Sequence, residues 1–529
     1  MTLDEKIAQL LHPAVDPCAD GDSHIEAFGG LQPGGIFLWP GKSQQFRDTT
    51  ERFRRQFAVP AIISSDLTNG AGWMIHDATV FPFTMAIAAA DSEELAYEVG
   101  RAGAVEGRSC GVHWTFAPAM DINVNPHNPI GNCQTFGDDV QRVSRLGAAM
   151  IRGLQENGVA AGAKHFPGDG FDDRDQHCCT AINPLSMDQW FALSGRAFKA
   201  AVDAGVWSVM TAHVSLPACD SGDGTHPSDA PPGSLSRKLT TGLLREQLGF
   251  GGVVISDAMM MGGVTSWMGP EEAIVTALEA GCDMILYSQL KRDFDILTRA
   301  VETGRLSESR IDESVRRILA LKEALGLNED APPPEVSQDQ RECFQQASKT
   351  IADKAITLVQ DRNGVLPLEL GEGKRVLSYH VRGFDFYNVD EFDEMLRQRG
   401  VEVTRYTEKD SHKPPTGADL LAYDAVIVNM VFVPSYGTNR IRPAGDYFRN
   451  VWELAGEHHP RMVVVSYGSP YHLYDLPKIP ALVNAYCPTQ ATQQAVLKVL
   501  TGQMQATGTS PVDLDSPYRF KAFDHLMGE

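Results

Sequence analysis

The sequence predicts an α/β protein in which a TIM-type (β/α)8 barrel is followed by a smaller open-sheet α/β sandwich domain. Up to about residue 325, short apolar runs alternate with amphipathic helical stretches, a pattern that implies parallel strands joined by helical crossovers. Seven or eight such units fall in roughly 300 residues, and a closed barrel needs about 250. Several of the apolar runs end on a charged or imidazole side chain: Asp66, Asp121, Lys164 with His165, His213 and Asp257. Loops are polar everywhere, so one such ending would mean nothing. Repeated endings of this chemistry mark the C-terminal face of a barrel, where active sites are built.

In chain order, MTLDEKIAQLLHP reads as an amphipathic helix with Thr2 as its cap and Glu5 three residues on. It lacks a basic segment followed by an apolar one, so it does not read as a signal peptide. Strands are expected at 34–39, 59–66, 111–122, 159–166, 206–213, 252–258 and 282–288. Helices are expected at 92–109, 139–157, 188–204, 238–248, 270–280 and 309–325. NEDAPPPEVSQDQ (328–340) then reads as a linker, because its prolines and polar residues cannot continue a packed helix. A second α/β pattern follows, with strands at 374–381, 401–406, 424–432, 461–468 and 481–486. Helices near 388–399, 444–456 and 489–501 separate them. The expected division is a catalytic barrel over 1–327, a linker and connecting helix over 328–373, an α/β sandwich over 374–515 and a tail over 516–529. VVVSYGSPY in the second domain lacks the spaced glycines of a phosphate loop. That domain has three open roles: packing on the barrel, closing its pocket, or forming a homodimer.

Composition bounds the partners. The 529 residues are 43% hydrophobic and 22% charged, with a formal net charge of −22. Nucleic acid and anionic membranes both require basic patches, so neither is an expected partner. No apolar run approaches the ~18 residues of a membrane span. The nine cysteines show no zinc-like spacing and read as reduced thiols of a cytoplasmic protein. No cofactor and no metal are expected.

Two stretches carry chemistry. In GVVISDAMMMGG (252–263) an apolar strand delivers Asp257, and a carboxylate in that position must be hydrogen-bonded or used. It reads equally as a nucleophile toward an electrophilic sugar carbon or as a helix cap. The adjacent methionines read as core or pocket wall. KHFPGDGFDDRDQHCCT (164–180) is too polar and too kinked for a core. Gly168 and Gly170 permit a tight loop, and Asp175-Gln176-His177 brings a carboxylate within reach of an imidazole. A carboxylate bonded to one ring nitrogen fixes the tautomer and leaves the other nitrogen to give and take a proton. A solvated loop and a metal site are the competing readings, but no HExxH-like pair supports the metal. Asp172, Asp173 and Arg174 read as solvated spacers.

Together these motifs resemble glycoside hydrolase family 3, in its β-N-acetylglucosaminidase branch. That branch carries a KHFPGHG-type stretch, four further residues and an Asp-x-His dyad; here FDDR (171–174) fills the gap and the dyad falls on Asp175 and His177. Its nucleophile is the Asp of an ISD motif, matching Asp257. GVHWTFAPAMDINVNPHNP (111–129), VMTAHV (209–214), GSLSRKLTTGLLREQLGFGGVVISD (233–257) and SYGSPYHLYDLP (466–477) also match, so the likeness covers about residues 3 to 505. The resemblance implies a retaining, exo-acting β-N-acetylhexosaminidase-type hydrolase on a small carbohydrate. Asp257 would form the covalent intermediate, and His177 with Asp175 would act as general acid and base. Asp66, Lys164, His165, His213 and Gln134 fall on sugar-binding positions. The chain departs from the branch at three places. Gln134 occupies an arginine position, which removes a cation suited to an anionic or acetamido-bearing sugar. Asp169 replaces a histidine, and SSDLTNGAG (64–72) replaces the usual Asp-Gly motif. A glycoside phosphorylase on the same sugar, a β-glucosidase-like hydrolase with its acid in the second domain, and a non-catalytic sugar-binding protein are the alternatives.

Overall fold

The computed structural model describes residues 1–529 except 20–21, 222–228, 330, 363, 384–386, 408–409, 411–414, 416, 435, 438–441, 444–450, 452–458 and 515–529. The expected helix at 444–456 falls almost wholly outside the described residues, as does the tail at 516–529. The chain forms two compact units. The first comprises Met1–Val80, Glu93–Ile122 and Val140–Phe344; the second comprises Phe81–Ser92, Asn123–Asp139 and Gln345–Glu529.

The first unit is a closed parallel barrel. Its strands are β1 (Leu11–His12), β2 (Ala14–Val15), β3 (Gly35–Leu38), β4 (Ile62–Ser64), β5 (Trp114–Thr115), β6 (Ala160–Phe166), β8 (Ser208–Thr211), β10 (Val253–Ser256) and β11 (Ile285–Leu286). Two short outer strands, β7 (Ala181–Ile182) and β9 (Val214–Ser215), pair with each other. The sheet runs β10-β8-β6-β5-β4-β3-β2, and β1 pairs with β11. A parallel bridge between Ile255 and Met284 joins β10 to the β11 line. Because β1 and β2 are one line broken at Pro13, these pairings close a ring of eight strand positions. The line at 11–15 was not among the expected strands. Proline has no N–H to give to a ladder, and Pro13 splits the apolar run into two pairs too short to read as a strand.

The crossover helices lie where periodicity places them: Glu93–Ser109, Val140–Gln155, Pro270–Ala280 and Glu308–Ala324. The stretch expected as one helix at 188–204 is two, Met187–Ala192 and Ser194–Asp203, broken at Leu193. The first helix, Leu3–Gln9, carries the expected capping box between Thr2 and Glu5. The barrel is filled rather than hollow. His12, Phe37, Trp114 and Phe116 stack inside it at ring separations of 5.1 to 6.1 Å, and Trp114 donates to the Ser208 hydroxyl.

The second unit is a six-stranded sheet in the order Thr357–Asp361, Ala481–Asn484, Met462–Ser466, Ala425–Val431, Arg375–Arg382, Glu402–Thr407. The strands are β12 (Thr357–Asp361), β13 (Arg375–Arg382), β14 (Glu402–Thr407), β15 (Ala425–Val431), β16 (Met462–Ser466) and β17 (Ala481–Asn484). All neighbours are parallel except β12, which lies antiparallel on β17 in the stretch expected as linker and connecting helix. Alternate residues of β13, β15 and β16 feed separate apolar clusters on the two faces, as a sheet between helical layers requires. Among the described residues no helix is long and apolar enough to cross a membrane.

Candidate active site

At the C-terminal ends of the barrel strands, the chain gathers the carboxylates of Asp66, Asp121, Asp175 and Asp257 and the basic groups that meet them. Asp66 follows β4 and accepts a hydrogen bond from Lys164 Nζ on β6 at 3.0 Å. The Thr68 hydroxyl also donates to it. Burial pushes the Asp66 carboxyl up, but Lys164 and Thr68 outweigh that and hold it below its ordinary value.

Asp121 lies beyond β5 and is almost fully buried. Burying an unpaired carboxylate is costly, and Asp121 meets that cost with three donors: the His165 N–H, the Asp169 N–H at 2.8 Å and His165 Nδ1 at 2.6 Å. Burial pulls the His165 imidazole down; the Asp121 charge more than offsets it, and His165 is held above its ordinary value. Asp121 is thus the support of an expected sugar contact. It stood among the polar strand ends, but nothing in the sequence paired it with His165.

The dyad is formed as its spacing suggested. Asp175 is fully buried and its Oδ1 accepts from both the N–H and Nδ1 of His177, each at 2.8 Å. With Nδ1 committed, proton exchange with a ligand falls to Nε2. Between the two, Gln176 is also fully buried. Its amide donates to Asp169 at 3.2 Å and accepts from the His213 N–H at 2.9 Å. Asp169 therefore ties its own loop together: one oxygen accepts from Gly170, the other from Gln176.

Asp172 departs from its expected role as a solvated spacer. Its carboxylate accepts from the Ile182 N–H at 2.7 Å and from the Arg174 side chain at 2.8 Å, which fastens the loop to β7. The loop is latched a second time. Gly262 N–H donates to His177 O at 2.7 Å, Gly263 N–H to Gln176 O at 3.0 Å, and the Thr180 hydroxyl to Gly263 O at 2.8 Å. The two glycines after the methionine run allow this approach, since a Cβ on Gly262 would lie 2.2 Å from Cys178 O and one on Gly263 would lie 2.6 Å from Gln176 O.

Asp257 follows β10. Its N–H donates to Thr211 O at 2.8 Å and its Oδ1 accepts from the Ala258 N–H at 2.7 Å. Burial pushes this carboxyl up, while the imidazoles of His213, His165 and His177, with the Ala258 N–H, pull it further down, so it is held below its ordinary value. His213 is fully buried, and both ring nitrogens already have protein partners: Ser234 Oγ at 2.9 Å and Ala258 O at 3.0 Å. Burial holds this ring below its ordinary value. It props the turn that carries Asp257 instead of offering a nitrogen to a ligand. The barrel end thus brings Asp66, Lys164, His165, Asp175, His177 and Asp257 together. Gln134 belongs to the second unit, where its N–H donates to Gly131 O in the turn Asn132–Gln134. All nine cysteines are free thiols.

Residues 2–321 match the Glycosyl hydrolase family 3 N terminal domain. Over 96% of this chain and 93% of its relative, the sequence is 34% identical to a β-N-acetylglucosaminidase/β-glucosidase of Cellulomonas fimi. Among solved structures, β-glucoside phosphorylase BglX superposes with a TM-score of 0.88 at 31% identity, covering 99% of this chain and 95% of that one. A glycoside hydrolase family 3 β-N-acetylglucosaminidase from Paenibacillus sp. str. FPU-7 superposes with a TM-score of 0.83 at 29% identity, covering 97% and 99%. By its matched domain, its full-length relative and the carboxylates and histidines at one end of its barrel, this chain belongs to glycosyl hydrolase family 3, as an enzyme of the glycoside hydrolase class.

Proposed function

We propose that the chain is a retaining, exo-acting β-glycosidase of the β-N-acetylglucosaminidase type. The observation that carries this reading is the state of Asp257. Asp66 is tied to Lys164, Asp121 to His165 and Asp175 to His177, but among the described residues Asp257 accepts a single N–H, from Ala258, while nearby imidazoles act on it through their charge. Such a carboxylate is ionised and keeps lone pairs for attack. Asp257 Oδ forms a bond to the anomeric carbon as the C–O bond to the leaving group breaks. His177 Nε2 delivers its proton to the departing oxygen. The imidazole then takes a proton from water, and the hydroxide displaces Asp257 to release the sugar with net retention. Lys164 and Asp66 offer a donor and an acceptor to sugar hydroxyls, and His165, its Nδ1 held by Asp121, adds Nε2 beside them. Gln134 stays a proposed sugar contact, without the charge that an anionic sugar would need. The free thiols support a cytoplasmic site of action.

Phosphorolysis is the second reading, favoured by the likeness to a β-glucoside phosphorylase. After giving up its proton the His177 ring is neutral, so it does not repel a phosphate arriving at the glycosyl-enzyme as a carboxylate base would. Both readings are tested by turnover of aryl β-N-acetylglucosaminides and β-glucosides with and without phosphate. Release of free sugar in either condition supports hydrolysis, and phosphate-dependent sugar 1-phosphate supports the phosphorylase. Asp257→Asn should abolish both; unchanged turnover would sink the mechanism.

A further inference from the structure

The proposed mechanism uses the polar part of the barrel rim and leaves an aromatic part without a task. Trp39 follows β3, with its backbone N–H donating to Val15 O at 3.0 Å, and the residue is 39% exposed. Tyr287 follows β11 with φ of 53°, a left-handed conformation that a bulky side chain adopts at a cost and that tends to occur at functional positions. The Trp39 and Tyr287 rings lie 5.2 Å apart. Beneath them the buried Phe37 ring meets each edge-on at 5.1 Å, so the pair is seated on the barrel core.

The place of this ledge on the rim gives it meaning. β11 neighbours β10, which Asp257 follows, and β3 neighbours β4, which Asp66 follows. The ledge therefore stands between the two carboxylates, across the ring from β6 with Lys164 and His165. Charged groups read hydroxyls. An uncharged aromatic face reads the apolar C–H face of a pyranose or an aryl ring, whose edge hydrogens meet the negative π face. The groups that would hold the attacked sugar lie deep, with Lys164 and His165 side chains 13% and 15% exposed. Trp39 is the more exposed, as a surface meeting the second half of a glycoside would be.

We propose that the Trp39–Tyr287 pair, seated on Phe37, is the surface on which the leaving-group ring of a β-glycoside stacks while Asp257 attacks. This rests on the glycosidase reading above and adds to it a specificity for ring-bearing leaving groups. The test compares Trp39→Ala and Trp39→Phe with the unaltered enzyme on three substrates of one sugar: the β-glycosyl fluoride, the 4-nitrophenyl β-glycoside and a β-linked disaccharide. Trp39→Ala should lower kcat/KM about tenfold on the two ring-bearing substrates, chiefly through KM, and change the fluoride by less than about twofold. Trp39→Phe should recover most of the loss. Equal losses on all three substrates would assign Trp39 to the attacked sugar or to folding, and no loss would make it a bystander; either result overturns the proposal. Absence of turnover by the unaltered enzyme on all three substrates overturns the glycosidase reading itself and the ledge with it.

Discussion

Gly262 is the position at which packing and helix propensity make opposite predictions. It opens the short helix Gly262–Thr265, where alanine should be better than glycine by up to about 1 kcal/mol. Its φ is not in the left-handed range, so the backbone raises no objection to a side chain. The obstacle is the dyad loop: a Cβ at Gly262 would lie 2.2 Å from Cys178 O and 2.4 Å from its carbonyl carbon. Ordinary contact begins near 3.4 Å, and backbone cannot rotate away, so the loop must retreat by more than 1 Å. The adjoining bond from Gly262 N–H to His177 O is 2.7 Å and would be lost with that retreat. Misplacing a reacting group by 1 Å costs about a hundredfold in rate. Gly262→Ala should therefore lower kcat about a hundredfold on glycosides with poor leaving groups, and much less on activated aryl glycosides that need little protonation. His177→Ala sets the limit of that loss. Gly251→Ala, where an added Cβ meets nothing within 4 Å, is the control and should be silent. The assay is kcat across a series of aryl leaving groups, alongside the thermal midpoint. A flat loss across the series, or full activity in Gly262→Ala, would refute the claim that this latch positions His177 as the proposed proton donor.

Two further substitutions test the electrostatics. His165 is held above its ordinary value by Asp121, so its charged form contributes stability that is complete below the unfolded value and is lost as pH rises through the folded one. Asp121→Asn leaves burial unopposed, and the alkaline limb of the kcat/KM profile should move to lower pH; an unmoved limb would separate His165 from catalysis. Lys322 is buried with Gln9 Oε1 as its acceptor at 2.5 Å, and burial pushes its ammonium down to about 7. Between that value and 10.5 the unfolded chain binds more protons than the folded one, so stability should climb with pH across that window by a few kcal/mol at ~1.4 kcal/mol per unit. Lys322→Met should flatten the climb in denaturant midpoints measured at pH 7 and pH 10, and an equal slope in both proteins would refute the assignment.

The barrel was legible because its signals are local. Most crossover helices show their own periodicity, and several strand ends show a charged or imidazole residue next to an apolar run. What escaped was either interrupted or non-local. The line at 11–15 was hidden by Pro13, and β12 by its place beside a linker. At the site, the dyad was readable because Asp175 and His177 are two residues apart. The pairings of Asp121 with His165, Gln176 with His213 and Gly262 with His177 span 44, 37 and 85 positions, and no spacing rule reaches across them. His213 shows the opposite error. A histidine at a strand end looks like a ligand contact, and only the atoms at both its nitrogens reveal a prop.

The distribution of partners among Asp66, Asp121, Asp175 and Asp257 explains how Asp257, the proposed nucleophile, differs from the rest. A carboxylate clamped by a cation has part of its charge and lone-pair capacity engaged in that pairing and is a weaker nucleophile; one left alone in a buried site would bind a proton and be inert. Asp257 avoids both outcomes because its charge is stabilised at a distance. His165 and His177 each carry their own carboxylate and are oriented by it, so their fields reach Asp257 without their donors being spent on it. The support is thus two layers deep: Asp121 and Asp175 hold the imidazoles, and the imidazoles hold the charge. The same arrangement explains why the outer layer is the more deeply buried, with Asp121 and Asp175 nearly inaccessible while Asp257 keeps partial exposure toward the open end of the barrel. A mutation in the outer layer should therefore be felt as a change in the pH dependence of attack before it is felt as a change in binding.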